Sequence, residues 1–249
     1  LPREGRVTAL EKKKESKNPP LLYNLAELQN ECSKSLKISP DECLKLVQEL
    51  YEKKMCTYPR TDARVLSTAV AKEIGKNIQG LLSFPPYAKY AKEVLAMDSV
   101  KSIARSRYTD DKKITDHYAI IPTGQGAGQY NSLSYQGKRV LDFIIRRFLS
   151  IFYPAAEYKK IALEIEVSGE FFVANEKVLT KEGYLCLYQK KEKNKEASTG
   201  DLAGKGNGQE QDDLDSEEAV TENGNPKLSE LKKGAKLYLQ ELKLKEGET

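Results

Sequence analysis

The sequence predicts an α+β protein in which a helical domain is inserted into a discontinuous antiparallel β domain. Apolar residues alternate with polar ones near both ends of the chain, and between about residues 24 and 152 they recur at helical spacing. A strand pattern on both sides of a helical block is most simply explained by one β domain that an insertion interrupts. We therefore expect a β domain over 1–22 and 155–249 and a helical domain over 23–154.

The first predicted elements are a short strand over 5–14 and a helix that begins after Asn24. The basic segment between them, 14–20, contains two prolines and cannot continue a helix. Asn24 and Glu27 have the spacing of a capping pair at a helix N-terminus. The apolar residues that follow at helical spacing are Leu25, Leu28, Cys32 and Leu36.

The second helix has the clearest start signal in the chain. Ser39 is placed as N-cap, Pro40 stands at the first helical position, and Glu42 completes a capping box. Helical spacing of apolar residues predicts three further helices, at about 67–82, 87–97 and 134–152. Pro154 ends the last and longest of them.

Beyond Pro154 the pattern changes to alternation, which predicts a β-hairpin over 161–173 with its turn at Gly169. Residues 191–230 contain few apolar side chains and predict a disordered acidic loop. Alternation returns over 235–246 and predicts a final strand.

Charge is unevenly distributed along the 249 residues. The segment 191–230 holds 5 Lys and 11 Asp or Glu and contributes −6 to the overall +4, so the remaining 209 residues carry +10. Within this segment Asp212, Asp213 and Asp215 resemble a metal-binding DxD motif, but their flexible, Glu-rich context favours a solvated linker. We expect no metal ion and no cofactor in this chain.

The four cysteines are too few and too widely spaced for a disulfide framework or a zinc site, which favours a reducing, cytoplasmic location. No run of about 18 apolar residues is present, so we expect no membrane partner. The start without Met or signal core indicates a piece of a longer protein.

The segment 55–64 has the residue types of an anion site beside a hydroxyl group. Pro59 disfavours a helical backbone at Tyr58, so this tyrosine is expected to present its hydroxyl. Arg60, Asp62 and Arg64 follow, and a guanidinium can hold a phosphate oxygen while a carboxylate orients it. Most of the 14 tyrosines must nevertheless be packing residues, and packing remains the alternative for Tyr58.

The segment 110–124 contains the only histidine, His117, together with Lys112 and Lys113. A histidine can donate to a phosphate or act as an acid or base, and the alternative is a structural hydrogen bond. Arg146 and Arg147 lie on the longest predicted helix. They form either a solvated face or a surface that follows a phosphate backbone.

Together the two segments resemble the type IA DNA topoisomerases. Residues 58–62 read YPRTD and residues 117–123 read HYAIIPT, and the proline after the tyrosine is similar to the topoisomerase III branch. The resemblance implies that Tyr58 attacks single-stranded DNA and forms a 5′-phosphotyrosine link. It implies that Arg60 and His117 contact the scissile phosphate, with Thr61 and Asp62 in supporting roles. DNA-binding cations are then expected at Arg64, Lys112, Lys113, Arg146 and Arg147.

The resemblance also implies ATP-independent relaxation and decatenation, with the β domain as the hinge of a strand-passage gate. Mg²⁺ is expected only in the full-length enzyme, bound by an N-terminal domain that precedes residue 1 and that is the partner of this chain. We expect the fragment to be a monomer and to be inactive alone. Two alternatives are a non-catalytic single-stranded DNA-binding module and a tyrosine recombinase or type IB enzyme. The second is disfavoured because Tyr58 precedes His117.

Overall fold

The computed structural model describes residues 3–188, 228 and 231–239. Six α-helices and four β-strands are formed by this part of the chain, which confirms the α+β class. The helices are α1 Leu25–Leu36, α2 Pro40–Glu52, α3 Thr68–Gly80, α4 Ala88–Leu95, α5 Ser99–Ser102 and α6 Tyr135–Ser150. The strands are β1 Arg3–Lys17, β2 Ala156–Val167, β3 Glu170–Lys181 and β4 Lys236–Leu239.

The four strands form one antiparallel sheet in the order β3-β2-β1-β4. In the β1–β4 pair Arg3 lies opposite Leu239 and Arg6 opposite Lys236, so strands from the two ends of the chain are neighbours, as predicted. The predicted hairpin is β2–β3. Its turn places Ser168 and Gly169 at positive φ values of 55° and 88°.

Strand β1 continues to Lys17, although the predicted strand ended at Lys14 and the residues after it were expected to form a connection. Only Pro19 and Pro20 lack the N–H group that a strand needs, so the basic residues before them can stay in the sheet. The predicted acidic loop, apart from Leu228, lies outside the described residues. The DxD-like aspartates and residues 240–246 of the predicted last strand also lie outside them.

The chain divides into two compact units. The sheet unit comprises Leu1–Lys13, Lys160–Val178 and Lys190–Thr249, and the helical unit comprises Lys14–Lys159 and Leu179–Gln189. The buried core of the sheet unit is small and consists of Val7, Ile161, Leu163 and Leu231. The helical unit has a much larger core, to which most of its helices contribute.

The predicted helix starts are confirmed. The Asn24 side chain accepts a hydrogen bond from the Glu27 N–H at 2.9 Å and caps α1. At α2 the Glu42 N–H donates to Ser39 Oγ at 3.2 Å, and the Ser39 N–H donates to Glu42 Oε2 at 2.9 Å, which is a complete capping box. In the described part of the chain no helix is long and apolar enough to cross a membrane.

Candidate active site

The two segments with candidate chemistry lie side by side in the helical unit. The Thr57 N–H donates to the Ile121 carbonyl at 3.0 Å, and the Thr123 N–H donates to the Met55 carbonyl at 3.0 Å. The Thr57 hydroxyl adds a bond to the Ala119 carbonyl at 3.0 Å. This short ladder joins the backbone just before Tyr58 to the backbone just after His117, although the two residues are far apart in the sequence.

Thr61 fixes the turn that follows Tyr58. Its buried hydroxyl donates to the His117 carbonyl at 2.7 Å and accepts from the Ala63 N–H at 3.1 Å. One side chain therefore connects the YPRTD turn to the backbone of the histidine. The predicted supporting role of Thr61 stays a prediction, and these two hydrogen bonds are its physical basis.

The rings of Tyr58 and His117 are in contact. Their centroids are 4.5 Å apart with an interplanar angle of 44°. The Tyr51 ring meets Tyr58 edge-on from the end of α2, with the centroids 5.5 Å apart. Tyr58 is half-buried and His117 is exposed, so the phenol and the imidazole are both accessible from outside.

An open cleft of about 590 Å³ lies beside the two rings. Residues that the sequence analysis did not single out as site residues also line it, among them Tyr51, Glu52, Lys54 and Tyr118. The sequence did contain a signal for Tyr51 and Glu52. The predicted helix after Ser39 ends shortly before Tyr58, so its last turn lies close to the tyrosine.

Cys56 also lines the cleft and has a thiol that could act as a nucleophile. It is buried, and desolvation raises the pKa of its thiol to about 12. The thiol therefore stays protonated near neutral pH and is a weak nucleophile. Burial therefore disfavours Cys56 as an attacking group, whereas the Tyr58 hydroxyl is in the half-buried, accessible ring at the cleft.

The predicted DNA-contacting residues differ in their solvent exposure. Arg60 is exposed, and among the described residues no ion pair involves it. Asp62 is also exposed, and its carbonyl accepts from the Asn24 side chain at 3.1 Å. Lys112 and Lys113 are exposed on a short turn, where Lys113 pairs with Asp110 at 3.2 Å. Arg60 and the two lysines are thus accessible to a phosphate.

Three predicted DNA-binding arginines are instead engaged within the helical unit. The guanidinium of Arg64 donates to the Leu22 carbonyl at 3.2 Å and pairs with Glu27 at 3.1 Å. Arg146 pairs with Asp142 at 2.7 Å and donates to the Leu187 carbonyl. A DNA contact by either arginine stays a prediction, and it would require these bonds to be exchanged.

Arg147 is the most enclosed of the three, with 12 % of its side chain exposed. Its guanidinium lies over the Tyr23 ring at 4.0 Å, donates to the Tyr23 hydroxyl at 3.0 Å and donates to the Leu21 carbonyl at 3.1 Å. The Arg147 guanidinium therefore already has hydrogen-bond and aromatic partners within the protein.

The described residues do not fit a Mg²⁺ site. Over this part of the chain no three His, Cys, Asp or Glu side chains are grouped closely enough to hold a metal ion.

The class of protein follows from three features and from comparison with known proteins. The features are the antiparallel sheet, the helical unit and the contact between the tyrosine and histidine rings. A family model described as DNA topoisomerase matches residues 2–249, and the chain belongs to the type IA DNA topoisomerase family. The family predicted from the two motifs is therefore confirmed.

Relatives called DNA topoisomerase 3 are among the most similar proteins. The chain is 35 % identical over 191 residues to that of Bacillus subtilis strain 168, covering 76 % of this chain and 26 % of the relative. It is 32 % identical over 185 residues to that of Bacillus cereus strain ATCC 14579, covering 74 % and 25 %. The chain thus spans about a quarter of the length of these relatives.

The fold is also similar to a solved structure. Full-length topoisomerase I from Thermotoga maritima matches with a TM-score of 0.57 over 95 % of this chain and 33 % of that one. The sequence identity is 17 %, so this likeness concerns the fold alone.

Proposed function

We propose that this chain is the part of a topoisomerase III-like enzyme that carries the DNA-cleaving tyrosine, Tyr58. The observation that carries the proposal is the contact of its ring with the His117 ring at an open cleft. The Tyr58 oxygen attacks a phosphorus of single-stranded DNA, the bond from phosphorus to the 3′ oxygen breaks, and a 5′-phosphotyrosine forms. The phenol loses its proton and the departing 3′ oxygen gains one.

This exchange needs no nucleotide triphosphate. One phosphoester bond replaces another of similar energy, so attack by the 3′-hydroxyl on the phosphotyrosine restores the strand. Transient opening of this kind allows strand passage, relaxation and decatenation by the complete enzyme.

Arg60 and His117 are proposed to stabilise charge on the scissile phosphate. A guanidinium offers two parallel N–H donors to phosphate oxygens, and an imidazole offers one. Such donors accelerate a reaction when they bind the developing charge of the transition state more strongly than the ground state. The exposure of Arg60 and the position of His117 against Tyr58 support these roles.

The sheet unit is proposed to act as the hinge of the gate, and the division of the chain into two units supports this assignment. The Mg²⁺ of the complete enzyme is assigned to the N-terminal domain that the family resemblance implies. The chain alone should accordingly fail to relax supercoiled DNA. Detectable relaxation by residues 1–249 with added Mg²⁺ would refute that part of the proposal.

The test is covalent trapping. The chain, supplied with the N-terminal domain of its enzyme, is incubated with end-labelled single-stranded DNA, and denatured samples are examined for labelled protein. We expect an adduct that Tyr58→Phe abolishes. Tyr51→Phe is the matched control, because its ring lies 5.5 Å from Tyr58 at the same cleft, and it should retain the adduct. DNA binding without any adduct would favour the non-catalytic single-stranded DNA-binding module.

A further inference from the structure

Lys54 has a backbone conformation that suits glycine better than lysine. Its φ is +59°, in the left-handed region. The Lys54 N–H donates to the Tyr51 carbonyl and the Met55 N–H donates to the Leu50 carbonyl, each at 2.8 Å. These two bonds are the Schellman motif, which ends a helix and usually has glycine at the left-handed position. A side chain at that position is strained by its Cβ atom.

The neighbouring segment contacts the backbone around Lys54 closely. The Thr123 hydroxyl donates to the Lys54 carbonyl from the neighbouring segment. Gly126 packs so closely that a Cβ atom there would lie 2.7 Å from the Lys53 carbonyl oxygen and 2.7 Å from Met55 Cγ. The left-handed conformation is therefore part of how the cleft wall is built, and a glycine at position 54 would satisfy it with less strain.

The Lys54 side chain places a positive charge at the cleft. It is exposed and lines the cleft beside Tyr58. The preceding Lys53 pairs with Glu49 at 3.4 Å, whereas within the described part of the chain no ion pair involves Lys54. The cleft therefore has a lysine charge that no carboxylate of the described residues pairs with.

We propose that Lys54 binds a backbone phosphate of the DNA strand in the Tyr58 cleft, and that its strained backbone is retained for this charge. The inference rests on the proposed function, which places DNA in this cleft. Backbone strain that persists in a well-packed structure is concentrated at functional sites. An ammonium group on a flexible stem binds phosphate as a point charge, independently of the base sequence.

The chain contains a matched control. Lys37 ends α1 with φ at +56°, is exposed and lies outside the cleft lining. Lys37 and Lys54 thus have the same residue type and a similar left-handed backbone, and only Lys54 lines the cleft beside Tyr58. Replacement of each by glycine removes the strain at both positions and the cleft charge at only one.

The experiment measures thermal unfolding and binding of a labelled oligonucleotide for residues 1–249 and three variants. Lys54→Gly and Lys37→Gly should each raise the Tm by about 2 °C. Only Lys54→Gly should weaken binding, by about three- to tenfold at low salt, and lower the slope of log K against log salt by about 0.7. Lys54→Arg keeps the charge and should bind like the unmodified chain.

Equal binding by Lys54→Gly and the unmodified chain would overturn the inference. Equal losses in the two glycine variants, or no salt-dependent binding by the unmodified chain, would do so too. The adduct experiment with Tyr58→Phe is scored separately. A failure of the Lys54 inference can therefore be recognised even when the adduct forms, and a missing adduct is attributed to the proposed function.

Discussion

The cationic residues of the helical unit form two groups in different surroundings. The interior group, Arg64, Arg146 and Arg147, donates to carbonyl oxygens and pairs with carboxylates. A second group, Lys54 and Arg60, is called the accessible group because both residues are exposed, and within the described residues neither forms an ion pair. Sequence composition counts both groups alike. The structure separates charge that stabilises the fold from charge that is accessible to a ligand.

Two members of the interior group, Arg64 and Arg147, hold the segment that precedes α1. The segment before α1 belongs to no helix and makes little sheet pairing, so its carbonyl oxygens need donors from side chains. Arg147 donates to the Leu21 carbonyl, Arg64 to the Leu22 carbonyl and the Tyr108 hydroxyl to the Pro19 carbonyl. These bonds anchor the entry segment against the rest of the helical unit. We infer that the predicted DNA contacts of Arg64 and Arg147 are secondary to this task.

The largest expected effect is on the rate of DNA cleavage and comes from Arg60, a member of the accessible group. Arg60→Ala in the assembled enzyme should lower the rate of DNA cleavage by about 10²–10³-fold, because a donor to the transition-state charge is lost. Binding of the same oligonucleotide should change only severalfold, since other cations hold the strand. Single-turnover cleavage and a binding titration measure the two quantities. Equal losses in both would reduce Arg60 to a docking residue.

Substitutions in the interior group should lower the free energy of unfolding rather than DNA binding. Arg147→Met should lower the free energy of unfolding by about 2–4 kcal/mol, because the Leu21 carbonyl and the Tyr23 hydroxyl lose a donor in a nearly enclosed place. Urea denaturation measures the loss, and DNA affinity per folded molecule should be unchanged. Arg139→Met is the control, because that arginine is 41 % exposed and its removal should cost about 0.5 kcal/mol or less. A tenfold drop in affinity without destabilisation would reverse the assignment.

The fold was largely predictable because its signals are local. The capping groups of α1 and α2 and the apolar stripe of α6 are adjacent in the sequence, and the structure agrees with each within about two residues. The pairing of 55–58 with 119–123 was not predictable from periodicity, because it joins segments about sixty residues apart. Only the resemblance of both motifs to one family indicated that they meet.

The site was predicted less completely than the fold. Tyr58 and His117 do come together, whereas the engagement of Arg64 and Arg147 depends on which distant carbonyls lack donors, and no local pattern shows this. Lys54 was missed for a related reason. The usual signal of a left-handed helix end is glycine, and a lysine at that position gives no warning of its conformation.

A smaller effect is expected at Thr61, which connects the two motifs. Thr61→Val should lower the free energy of unfolding by about 1–2 kcal/mol, because the Ala63 N–H loses its acceptor and the His117 carbonyl loses its donor. Thr61→Ser keeps the hydroxyl and is the control. Cleavage should fall in the valine variant through the freed His117 backbone. Unchanged stability and cleavage would show that the hydroxyl is dispensable.

The smallest effect should distinguish two neighbouring lysines at the turn before His117. The charge of Lys113 is already paired with Asp110 at 3.2 Å, while no ion pair of the described residues involves Lys112. A paired lysine releases fewer counterions on binding DNA, because part of its charge is neutralised beforehand. Lys112→Gln should therefore lower the slope of log K against log salt by about 0.7, and Lys113→Gln by about half of that or less.

Both slopes are obtained from oligonucleotide titrations over a series of salt concentrations, with Arg147→Met as the interior reference that should leave the slope unchanged. Equal slopes for Lys112→Gln and the unmodified chain would remove Lys112 from the DNA-binding cations. A slope change in Arg147→Met as large as that expected for Lys112→Gln would remove the distinction between interior and accessible charge, since an enclosed guanidinium would then be exchanging its protein partners for phosphate.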